Sequence, residues 1–516
     1  MMLIIFYTDH KGCRVLQFYT SAVYPSKVSL DILSHTSHYI DIPLWRAAPN
    51  SENAVKEEFS MNINRGGLLQ QNGILNGSIF STILLFSVPI VLGNIFQQLY
   101  NLIDAIVVGR FLGDLPLAGI SVAAPIMDIA TALIIGSTIG IGVLIAQLYG
   151  AEDLAQLKIT HSTALLGGVL LTVALSLAGI AGSHQILLAQ GTDPSVCAQA
   201  IQYLRVVFLG MPFCFLYNYY ASALRSCGNS RIPFYILLIS SCLHIALDVL
   251  LVGVFKTGIV GIAFSTSTCQ LFSAVWCMLY AHRHVSVLAV RRGEFKFSRK
   301  EAAKVLSYAW AAALQQSVVC IGRFLIQGML TGLGTHTVTG YNMGMRVEQF
   351  AFCFSQGLSA AMVVCISQNM GRGNAPRARK FYRAGVQTAA LIAAAVGIVF
   401  LCFPTQLSGM FSDHREVVAS GAQYIGTMSV FYVFAFVDEM IQGFFRGIGR
   451  LRLTMVASFG QVLLRVILSA ALIPTFGITG ICLAVIAGWI LLALIEGGYS
   501  ISVSKSLTRR ESAPSA

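Results

Sequence analysis

The chain has 516 residues, of which 56% are hydrophobic and only 11% are charged. This balance excludes a soluble globular protein, because too few polar side chains are present to cover a surface that faces water. The net charge of +12 does not indicate a nucleic-acid partner, since the basic residues are spread over separate short loops. The composition therefore predicts a protein that lies mostly within a membrane.

Residues 1–78 form a tail whose mixed composition differs from the rest of the chain, and we expect this tail to be disordered. Its apolar start is too short for a signal peptide, and no basic residue precedes it. A segment typical of the entry to a first membrane helix begins at Met61. One hypothesis is that translation starts there and that residues 1–60 come from an upstream reading frame. Sequencing the N-terminus of the native protein tests this hypothesis.

Twelve apolar stretches follow, and they approach or exceed the roughly 20 residues that an α-helix needs to cross a hydrocarbon core. Because lipid cannot hydrogen-bond the backbone, and the stretches are too uniformly apolar for barrel strands, we predict helices. The predicted spans are 80–109, 118–147, 159–181, 198–223, 232–255, 259–282, 308–330, 341–369, 383–404, 418–445, 453–475 and 478–502. Helices 1–6 form an N-lobe (79–282) and helices 7–12 a C-lobe (306–503), and a C-terminal tail follows at 504–516.

The two lobes are copies of one another. Five pairs of glycines are separated by 221 positions, whereas random placement would give roughly one such pair. The pairs are Gly113 and Gly334, Gly119 and Gly340, Gly136 and Gly357, Gly150 and Gly371, and Gly228 and Gly449. Because each copy has an even number of spans, both lobes enter the membrane from the same side. The predicted fold is an all-α integral membrane protein of twelve transmembrane helices in two six-helix lobes related by an internal parallel repeat.

A basic stretch, 283–305, links the two lobes, and its valines and phenylalanines among charges predict an amphipathic helix on the cytoplasmic surface. Loops after even-numbered spans, together with the C-terminal tail, carry 21 Lys and Arg residues, whereas loops after odd-numbered spans carry three. By the positive-inside rule, both termini are cytoplasmic. We expect a multi-pass protein of the cell membrane.

Ionisable side chains inside membrane spans are costly, so each of them needs an explanation. Asp104 lies deep in the first span, and Asp248 lies in the fifth, four residues after His244, which places both side chains on one helix face. Polar neighbours of Asp104 make a half-span that must face protein or water: Asn94, Gln97, Gln98, Tyr100 and Asn101. The second copy has Leu325, Arg465 and Ser469 at the positions of Asp104, His244 and Asp248. We therefore expect that only the N-lobe keeps functional acids buried in its apolar helices.

If Asp104 and Asp248 converge, desolvation and mutual repulsion increase the proton affinity of at least one of them. Such a group loads and releases a proton or binds a cation. The alternative is a structural hydrogen bond in which His244 simply satisfies Asp248, and the residues alone leave both interpretations open. For other ionisable residues we expect structural pairing, at Arg346 and Glu348, or partial solvation at a cavity mouth, at Asp438 and Glu439.

The stretch FSVPIVLGNIFQQLYNLIDAIVVGRFLG, residues 86–113, resembles the first helix of the multidrug and toxic compound extrusion (MATE) transporters. The sequences LRSCGNSRIP from Leu224, SQNMGRGN from Ser367 and FRGIGR from Phe445 resemble loop motifs of the same family. The resemblance covers about residues 70–500. It implies two lobes around a central cleft and an antiporter, not an enzyme, that exports amphipathic, often cationic, organic compounds. It also implies a monomer without a cofactor, with H⁺ or Na⁺ as the transported ion, small organic substrates and membrane lipid as partners.

In one branch of this family the cation site lies in the N-lobe, and the corresponding residues here are Asp104, His244, Asp248 and Thr266. His244 stands where asparagine is usual, and Val249 stands where a proline usually follows the aspartate. Sodium prefers oxygen ligands, whereas a histidine next to an aspartate is a natural proton-handling pair. We therefore predict that proton coupling is favoured over sodium coupling, with a sodium ion at this site as the only candidate metal.

Side chains that suit contact with varied organic cations suggest a substrate cleft, although packing against neighbouring helices is the alternative for each aromatic residue. The candidates are Asn94, Gln97, Tyr100, Asn101, Tyr217, Phe350 and Phe354. Two other functions stay open: a flippase for lipid-linked saccharide precursors, and a membrane enzyme that uses His244 and Asp248. The count of twelve spans disfavours the flippase, and the lack of an HExxH or GxSxG motif disfavours the enzyme.

Overall fold

The structure, a computed structural model, describes residues 2–8, 14–20, 73–289 and 296–511. The chain divides into two units, Met1–Phe59 and Ser60–Ala516. In the first unit, strands β1 (Met2–Thr8) and β2 (Arg14–Thr20) pair in antiparallel register. Both strands are rich in β-branched and aromatic residues, which favour pairing, and the disorder expected of the tail 1–78 stays a prediction. Other parts of that tail, including Met61, lie outside the described residues.

The second unit consists of helices. The N-lobe contains α1 (Ile79–Phe111), α2 (Asp114–Gly150), α3 (Leu154–Ala189), α4 (Pro194–Ser226), α5 (Arg231–Asp248) and α6 (Ile259–His284). The C-lobe contains α7 (Arg299–Leu330), α8 (Thr335–Gly371), α9 (Ala375–Cys402), α10 (Pro404–Gly409), α11 (Arg415–Ser429), α12 (Tyr432–Gly447), α13 (Leu451–Phe476) and α14 (Ile478–Glu511). Each lobe has an apolar core of its own, around Phe208 and Phe215 in the N-lobe and around Phe381 and Phe444 in the C-lobe.

Eleven helices in the described part of the chain are long and apolar enough to cross a membrane, and α11 with α12 makes a twelfth span that is bent by 59°. The predicted fold class is therefore confirmed, although the tenth span was expected as one helix over 418–445. Near the bend, the hydroxyl groups of Thr427 and Ser429 donate to the carbonyls of Gln423 and Gly426, each at 2.7 Å. Such side-chain bonds compete with the backbone ladder and favour a bend.

The link between the lobes differs from the prediction. An amphipathic helix was expected over 283–305, but residues 285–289 and 296–298, the described residues between the end of α6 and the start of α7, are not helical. Instead, Val287 and Leu288 turn inward and join the apolar core of the N-lobe. Burial there removes more apolar surface from water than a position at the membrane surface would. At the other end, α14 continues through most of the predicted tail to Glu511, since no Gly or Pro interrupts that stretch.

Folded structure begins before the first predicted span, at a helical turn over residues 73–76. Arg377, at the start of α9 in the C-lobe, holds this turn. Its guanidinium donates to the carbonyls of Ile74 at 3.0 Å, Gly73 at 3.1 Å and Gly77 at 2.6 Å. The Ile74 side chain is fully buried in the core of the C-lobe. The segment that leads into the N-lobe is therefore attached to the C-lobe.

The glycines of the repeat have two structural causes. Gly113 and Gly334 precede α2 and α8 with φ of 80° and 90°, and Gly228 and Gly449 follow α4 and α12 with φ of 91° and 83°. Side chains other than glycine rarely adopt this left-handed conformation. The same backbone geometry therefore begins and ends equivalent helices in both lobes.

The second cause is close approach of the lobes. A Cβ atom on Gly136 of α2 would lie 2.5 Å from the carbonyl oxygen of Ala312 on α7. A Cβ atom on Gly357 of α8 would lie 3.0 Å from the backbone nitrogen of Val91 on α1. Because Val91 and Ala312 are also 221 positions apart, the two contacts are equivalent under the repeat. The lobes therefore meet through one packing arrangement that occurs twice.

Two hydrogen bonds between the lobes obey the same repeat. The Gln147 side chain donates to the carbonyl of Gly447 at 3.2 Å, and the Gln368 side chain donates to the carbonyl of Ser226 at 2.7 Å. Both bonds lie where α2, α4, α8 and α12 end, which is the end predicted to be cytoplasmic. An exposed ion pair between Glu152 and Arg372, at 3.4 Å, lies beside them. The lobes are thus closed against each other at this end.

Candidate functional site

Three ionisable side chains meet inside the N-lobe. Asp104 comes from α1, and His244 and Asp248 come from successive turns of α5. The Nδ1 atom of His244 lies 3.3 Å from Oδ1 of Asp104 and 3.4 Å from Oδ2 of Asp248. The helical spacing of four residues places His244 and Asp248 on one face, and the packing of α1 against α5 adds Asp104. We refer to these three residues as the acid–histidine trio.

Two hydroxyl groups on α6 complete this site. Thr266 Oγ1 lies 3.0 Å from Nε2 of His244, and Ser265 Oγ donates a hydrogen bond to Asp248. Sequence reasoning singled out Thr266 but missed Ser265. The sequence signal for Ser265 is only that it is a polar residue adjacent to Thr266 on an apolar helix, whereas its full burial is seen only in the structure.

The geometry limits where protons reside. Thr266 also donates to the carbonyl of Ile262 at 2.9 Å, so its oxygen accepts from the Nε2–H of His244. The other ring nitrogen, Nδ1, faces two carboxylates at nearly equal distances. One Nδ1 proton can bond only one of them at a time. When the ring carries a proton on both nitrogens, the two acids therefore compete for the one proton on Nδ1.

The three residues differ in access to the outside. The Asp104 side chain is 23% exposed, whereas the Asp248 side chain is 1% exposed. The electrostatic neighbours of Asp248 in the described part of the chain include His244, Asp104, Ser265, Cys269 and Tyr203, and none of these is a lysine or arginine. Two buried acids with only one histidine as counterion are costly unless a proton or a cation neutralises them.

The backbone changes its hydrogen-bond register immediately after Asp248. Residues Val249–Val254 form a π-helix, and the chain then turns at Lys256 and Gly258, which have φ of 53° and 69°. Single π-helical turns often occur at functional sites. Here the turn directs α6 back along α5, which brings Thr266 beside His244. Val249 occupies the position where the resemblance leads us to expect a proline, so the register change occurs here without a proline.

The other sequence candidates are distributed over both lobes. Tyr100 packs edge-on against His244, with ring centroids 5.5 Å apart, and Gln97 hydrogen-bonds Tyr100. Both therefore belong to the surroundings of the trio. Other candidates that are half-buried or exposed on their helices are Asn94 and Asn101 on α1, Tyr217 on α4, and Phe350 and Phe354 on α8. Of this second group, Tyr217 is an electrostatic neighbour of Tyr100.

The trio has the chemistry of an ion site as well as of a proton site. The ligand atoms of Asp104, His244 and Asp248 all lie within 4.8 Å of one another, and no other group of three His, Cys, Asp or Glu residues does so among the described residues. None of the trio atoms that face each other has a well-oriented hydrogen-bond partner. Carboxylate oxygens suit Na⁺, but the central nitrogen suits a proton better.

The C-lobe also buries acids, contrary to expectation. Glu348 on α8 accepts a hydrogen bond from Tyr424 on α11, which is the structural pairing between helices that was expected, while Arg346 is exposed. Asp438 on α12 is buried rather than solvated at a cavity mouth, and Glu439 forms an ion pair with Arg446 at 2.5 Å. A further acid, Glu496 on α14, is also buried. The repeat does not predict these acids, because the N-lobe lacks them.

A bundle of membrane spans in two repeated lobes, with acids buried inside the spans, is the architecture of a secondary transporter. The family model MatE matches residues 89–250 and 311–471, which is more than half of the chain. The chain belongs to the MatE family. The resemblance to MATE transporters that the first helix indicated is thereby confirmed.

Named relatives agree with this assignment. The chain is 28% identical to probable multidrug resistance protein YoeA of Bacillus subtilis (strain 168), over 66% of this chain and 75% of that one. It is 25% identical to multidrug export protein MepA of Staphylococcus saprophyticus, over 78% and 89%. An outward-facing structure of a multidrug resistance MATE family transporter has the same fold, with a TM-score of 0.80 and 20% identity over 84% of this chain and 98% of the other.

Proposed function

We propose that the chain is a cation-coupled antiporter that exports amphipathic, often cationic, organic compounds by alternating access, with protons favoured over sodium. Membership of a transporter family and relatives named for multidrug resistance or export support the transport of organic compounds. The observation that carries the coupling argument is the position of His244 Nδ1 between two acids, at 3.3 and 3.4 Å. An amide in that position would offer an oxygen to sodium, whereas imidazole offers a proton relay.

In the proposed cycle, Asp104 exchanges protons with the outside because it is the more exposed acid. His244 relays the proton through Nδ1 to Asp248, and Thr266 and Ser265 hold the ring and the inner carboxylate in place. Loading removes one negative charge from the site. The conformation that is more stable when the site is unprotonated and charged is then no longer favoured. The equilibrium between the two arrangements of the lobes therefore shifts.

Helix α1 connects the site with the lobe interface. It carries Asp104 near one end and Val91, which packs against Gly357 of the C-lobe, toward the other. Pro89, two residues before Val91, removes one backbone hydrogen bond and makes the helix easier to bend there. A change of charge at Asp104 therefore reaches the closed end of the lobes through one continuous element.

Several features remain part of the proposal. Both termini are cytoplasmic, the protein acts as a monomer, and small organic cations enter a cleft to which Tyr100, Tyr217, Phe350 and Phe354 contribute. Aromatic faces attract organic cations, and the half-buried or exposed positions of these rings are compatible with such contact. No observation favours the flippase or the enzyme over transport.

The test is uptake of tetraphenylphosphonium into lipid vesicles that contain the purified protein, driven by a pH gradient in sodium-free buffer. Asp104→Asn and Asp248→Asn retain side-chain shape but remove the proton acceptor, so both variants are expected to lose gradient-driven transport. Asp153→Asn is the matched control, because Asp153 caps α3 and its counterpart in the C-lobe, the cap of α9, is Asn374. Wild-type rates in both trio variants would rule out the site.

A further inference from the structure

The C-lobe contains a buried acid cluster that the proposed transport cycle does not use. Asp438 and Glu439 lie on α12, and Glu496 lies on α14. Asp438 is 6% exposed and Glu496 is 2% exposed. The N-lobe has Tyr217 and Asn218 at the positions equivalent to Asp438 and Glu439. It has Cys277 at the position equivalent to Glu496, because the glycines that precede α6 and α14, Gly258 and Gly477, are 219 positions apart. The cluster is therefore a property of the C-lobe alone. The free-energy cost of burying these acids in an apolar bundle needs a separate explanation.

One basic residue serves this cluster. Arg446 donates through Nη2 to Glu439 at 2.5 Å and to the hydroxyl of Ser359 on α8 at 3.2 Å. This pairing neutralises Glu439. Oδ1 of Asp438, both carboxylate oxygens of Glu496, and Nε of Arg446 are buried without a hydrogen-bond partner among the described residues. Asp438 and Glu496 thus have no counterion of their own and share the charge of Arg446 with Glu439.

The polar residues around the cluster are neutral, and their side chains already form hydrogen bonds. Gln442 donates to Oδ2 of Asp438 at 3.2 Å, and its own oxygen accepts from Gln315 of α7 at 2.7 Å. Gln315 in turn accepts from Thr454 of α13 at 3.0 Å. This chain fixes the orientation of the Gln442 amide and supplies one donor to Asp438, but no positive charge.

The titratable groups that face Asp438 and Glu496 are few. On α12 they are Glu439 and Arg446, and on α9 the nearest is Tyr382, whose hydroxyl is hydrogen-bonded to Ser500 of α14 at 2.7 Å. Asp438 and Glu496 are also electrostatic neighbours of each other. With three acids and one arginine, the cluster holds two negative charges in excess when fully ionised. A charge of this size in an apolar bundle requires neutralisation.

We propose that Asp438 and Glu496 form a second proton-binding site, located in the C-lobe, that exchanges protons through the pair of Glu439 and Arg446. Glu439 is 28% exposed, so it connects the buried acids with the outside. A proton fits better than a metal ion, since the ligand atoms of this cluster do not converge as those of the trio do within the described residues. Proton binding itself does not require transport, but its use in a cycle rests on the proposed function.

The position of the cluster links it to the lobe interface. Ser359, which bonds Arg446, also donates to the backbone carbonyl of Glu439 at 3.1 Å, and it lies two residues after Gly357. At the end of the same helix α12, the carbonyl of Gly447 accepts the bond from Gln147 of the N-lobe. Protonation of Asp438 and Glu496 therefore changes the charge on α12, the helix whose end is hydrogen-bonded to the N-lobe. Each lobe then has a proton site of its own, and the site of the C-lobe lies on a helix that contacts the other lobe.

The first test is infrared spectroscopy of the purified full-length protein during a pH titration. The carbonyl band of protonated carboxylic acids is expected to persist at neutral pH, to disappear as pH rises, and to shift in heavy water. Asp438→Asn and Glu496→Gln should each remove part of this titrating band. The matched control is Glu416→Gln, a change at an exposed acid of the same lobe, which should leave it intact.

Both variants replace a carboxyl group by a neutral group of similar shape, so they should fold, and gel filtration of each variant checks this. A spectrum unchanged in both variants, or a band that never titrates, would overturn the second site. A titrating band that the variants reduce supports the site even if no vesicle assay detects transport. Proton-driven transport with an unaltered band would instead preserve the antiporter and remove the second site.

Discussion

The N-lobe and the C-lobe share their packing positions but not their acids. Gly136 and Gly357, like Gln147 and Gln368, occupy equivalent positions and perform equivalent contacts between the lobes. Asp104 and Asp248, in contrast, have no acidic equivalent in the C-lobe, and Asp438 and Glu496 have none in the N-lobe. A residue that packs on the other lobe is constrained by both copies, whereas a residue inside one lobe is constrained by that lobe only.

Arg225 and Arg446 make the same point at one pair of positions. In the C-lobe, Arg446 pairs with Glu439. In the N-lobe, the residue equivalent to Glu439 is Asn218, which donates to the carbonyl of Cys214 at 2.9 Å instead. The arginine is present in both copies, but its acidic partner is present in one. The lobes thus share their packing residues but carry their acidic residues at different positions.

The largest effect should come from filling the glycine contacts between lobes. Gly136→Leu and Gly357→Leu each force a side chain into backbone of the other lobe. Overpacking of this kind costs about 1–3 kcal/mol, which shifts a two-state equilibrium roughly 5- to 150-fold. Hydrogen exchange of the peptides around Gln147 and Gln368 should increase in both variants. Gly109→Leu, where a Cβ atom meets no neighbour, is the control. Protection equal to wild type in both interface variants would contradict the claim that these two glycines make equivalent close contacts between the lobes.

An effect of similar free energy, but confined to one turn rather than to the interface between the lobes, should follow from Arg377→Ala, which removes three hydrogen bonds to the turn at residues 73–77. Hydrogen bonds to a charged group contribute about 1.5–3 kcal/mol each, but three on one side chain do not add fully. Amide exchange in residues 73–78 should become faster. The equivalent N-lobe change is Gln156→Ala, and it should leave those amides protected. Equal exchange in the two variants would contradict the attachment of this turn by Arg377.

Gln147→Ala and Gln368→Ala should have the next smaller effects, because each removes one neutral hydrogen bond, about 0.5–1.5 kcal/mol. The bond from Gln368 is shorter, at 2.7 Å against 3.2 Å, and Gln368 is the more buried side chain. Loosening of the closed end, measured by hydrogen exchange, should therefore be greater for Gln368→Ala. A greater effect of Gln147→Ala would mean that hydrogen-bond length and burial do not determine how much each of the two bonds stabilises the interface.

The smallest effect should come from Glu152→Gln, which removes the exposed ion pair with Arg372. Exposed pairs contribute about 0–1 kcal/mol and are screened by salt. Thermal unfolding of this variant should match that of wild type at physiological ionic strength. A clear loss of stability that persists at high salt would show that this pair belongs to the closed interface after all.

Much of the fold was readable from the sequence because its signals are local or periodic. Apolar length predicts each span, and the glycine pairs predict two lobes. The bend between α11 and α12 was not readable, since Thr427 and Ser429 look like ordinary helical residues until their hydroxyl groups are seen to bond the backbone. The linker was predicted wrongly because Val287 and Leu288 are buried by tertiary contacts that a surface pattern does not reveal.

The candidate site divides in the same way. The spacing of His244 and Asp248 on one helix predicts a shared face, and the polar half of α1 predicts that Asp104 faces inward. Ser265 required the packing of α6 against α5. The acids of the C-lobe required burial data, because a search for equivalents of Asp104 and Asp248 does not find acids at new positions. Comparison between copies therefore detects what is kept or lost, but not what one copy has gained.

The most direct test of the coupling claim is a comparison of driving forces in vesicles that contain wild-type protein or His244→Asn. With wild type, a pH gradient without sodium should drive tetraphenylphosphonium transport, and a sodium gradient at fixed pH should not. His244→Asn replaces the ring nitrogen by an amide oxygen and should make transport respond to sodium. Wild-type transport driven by sodium alone, at fixed pH, would contradict the role assigned to His244 between Asp104 and Asp248.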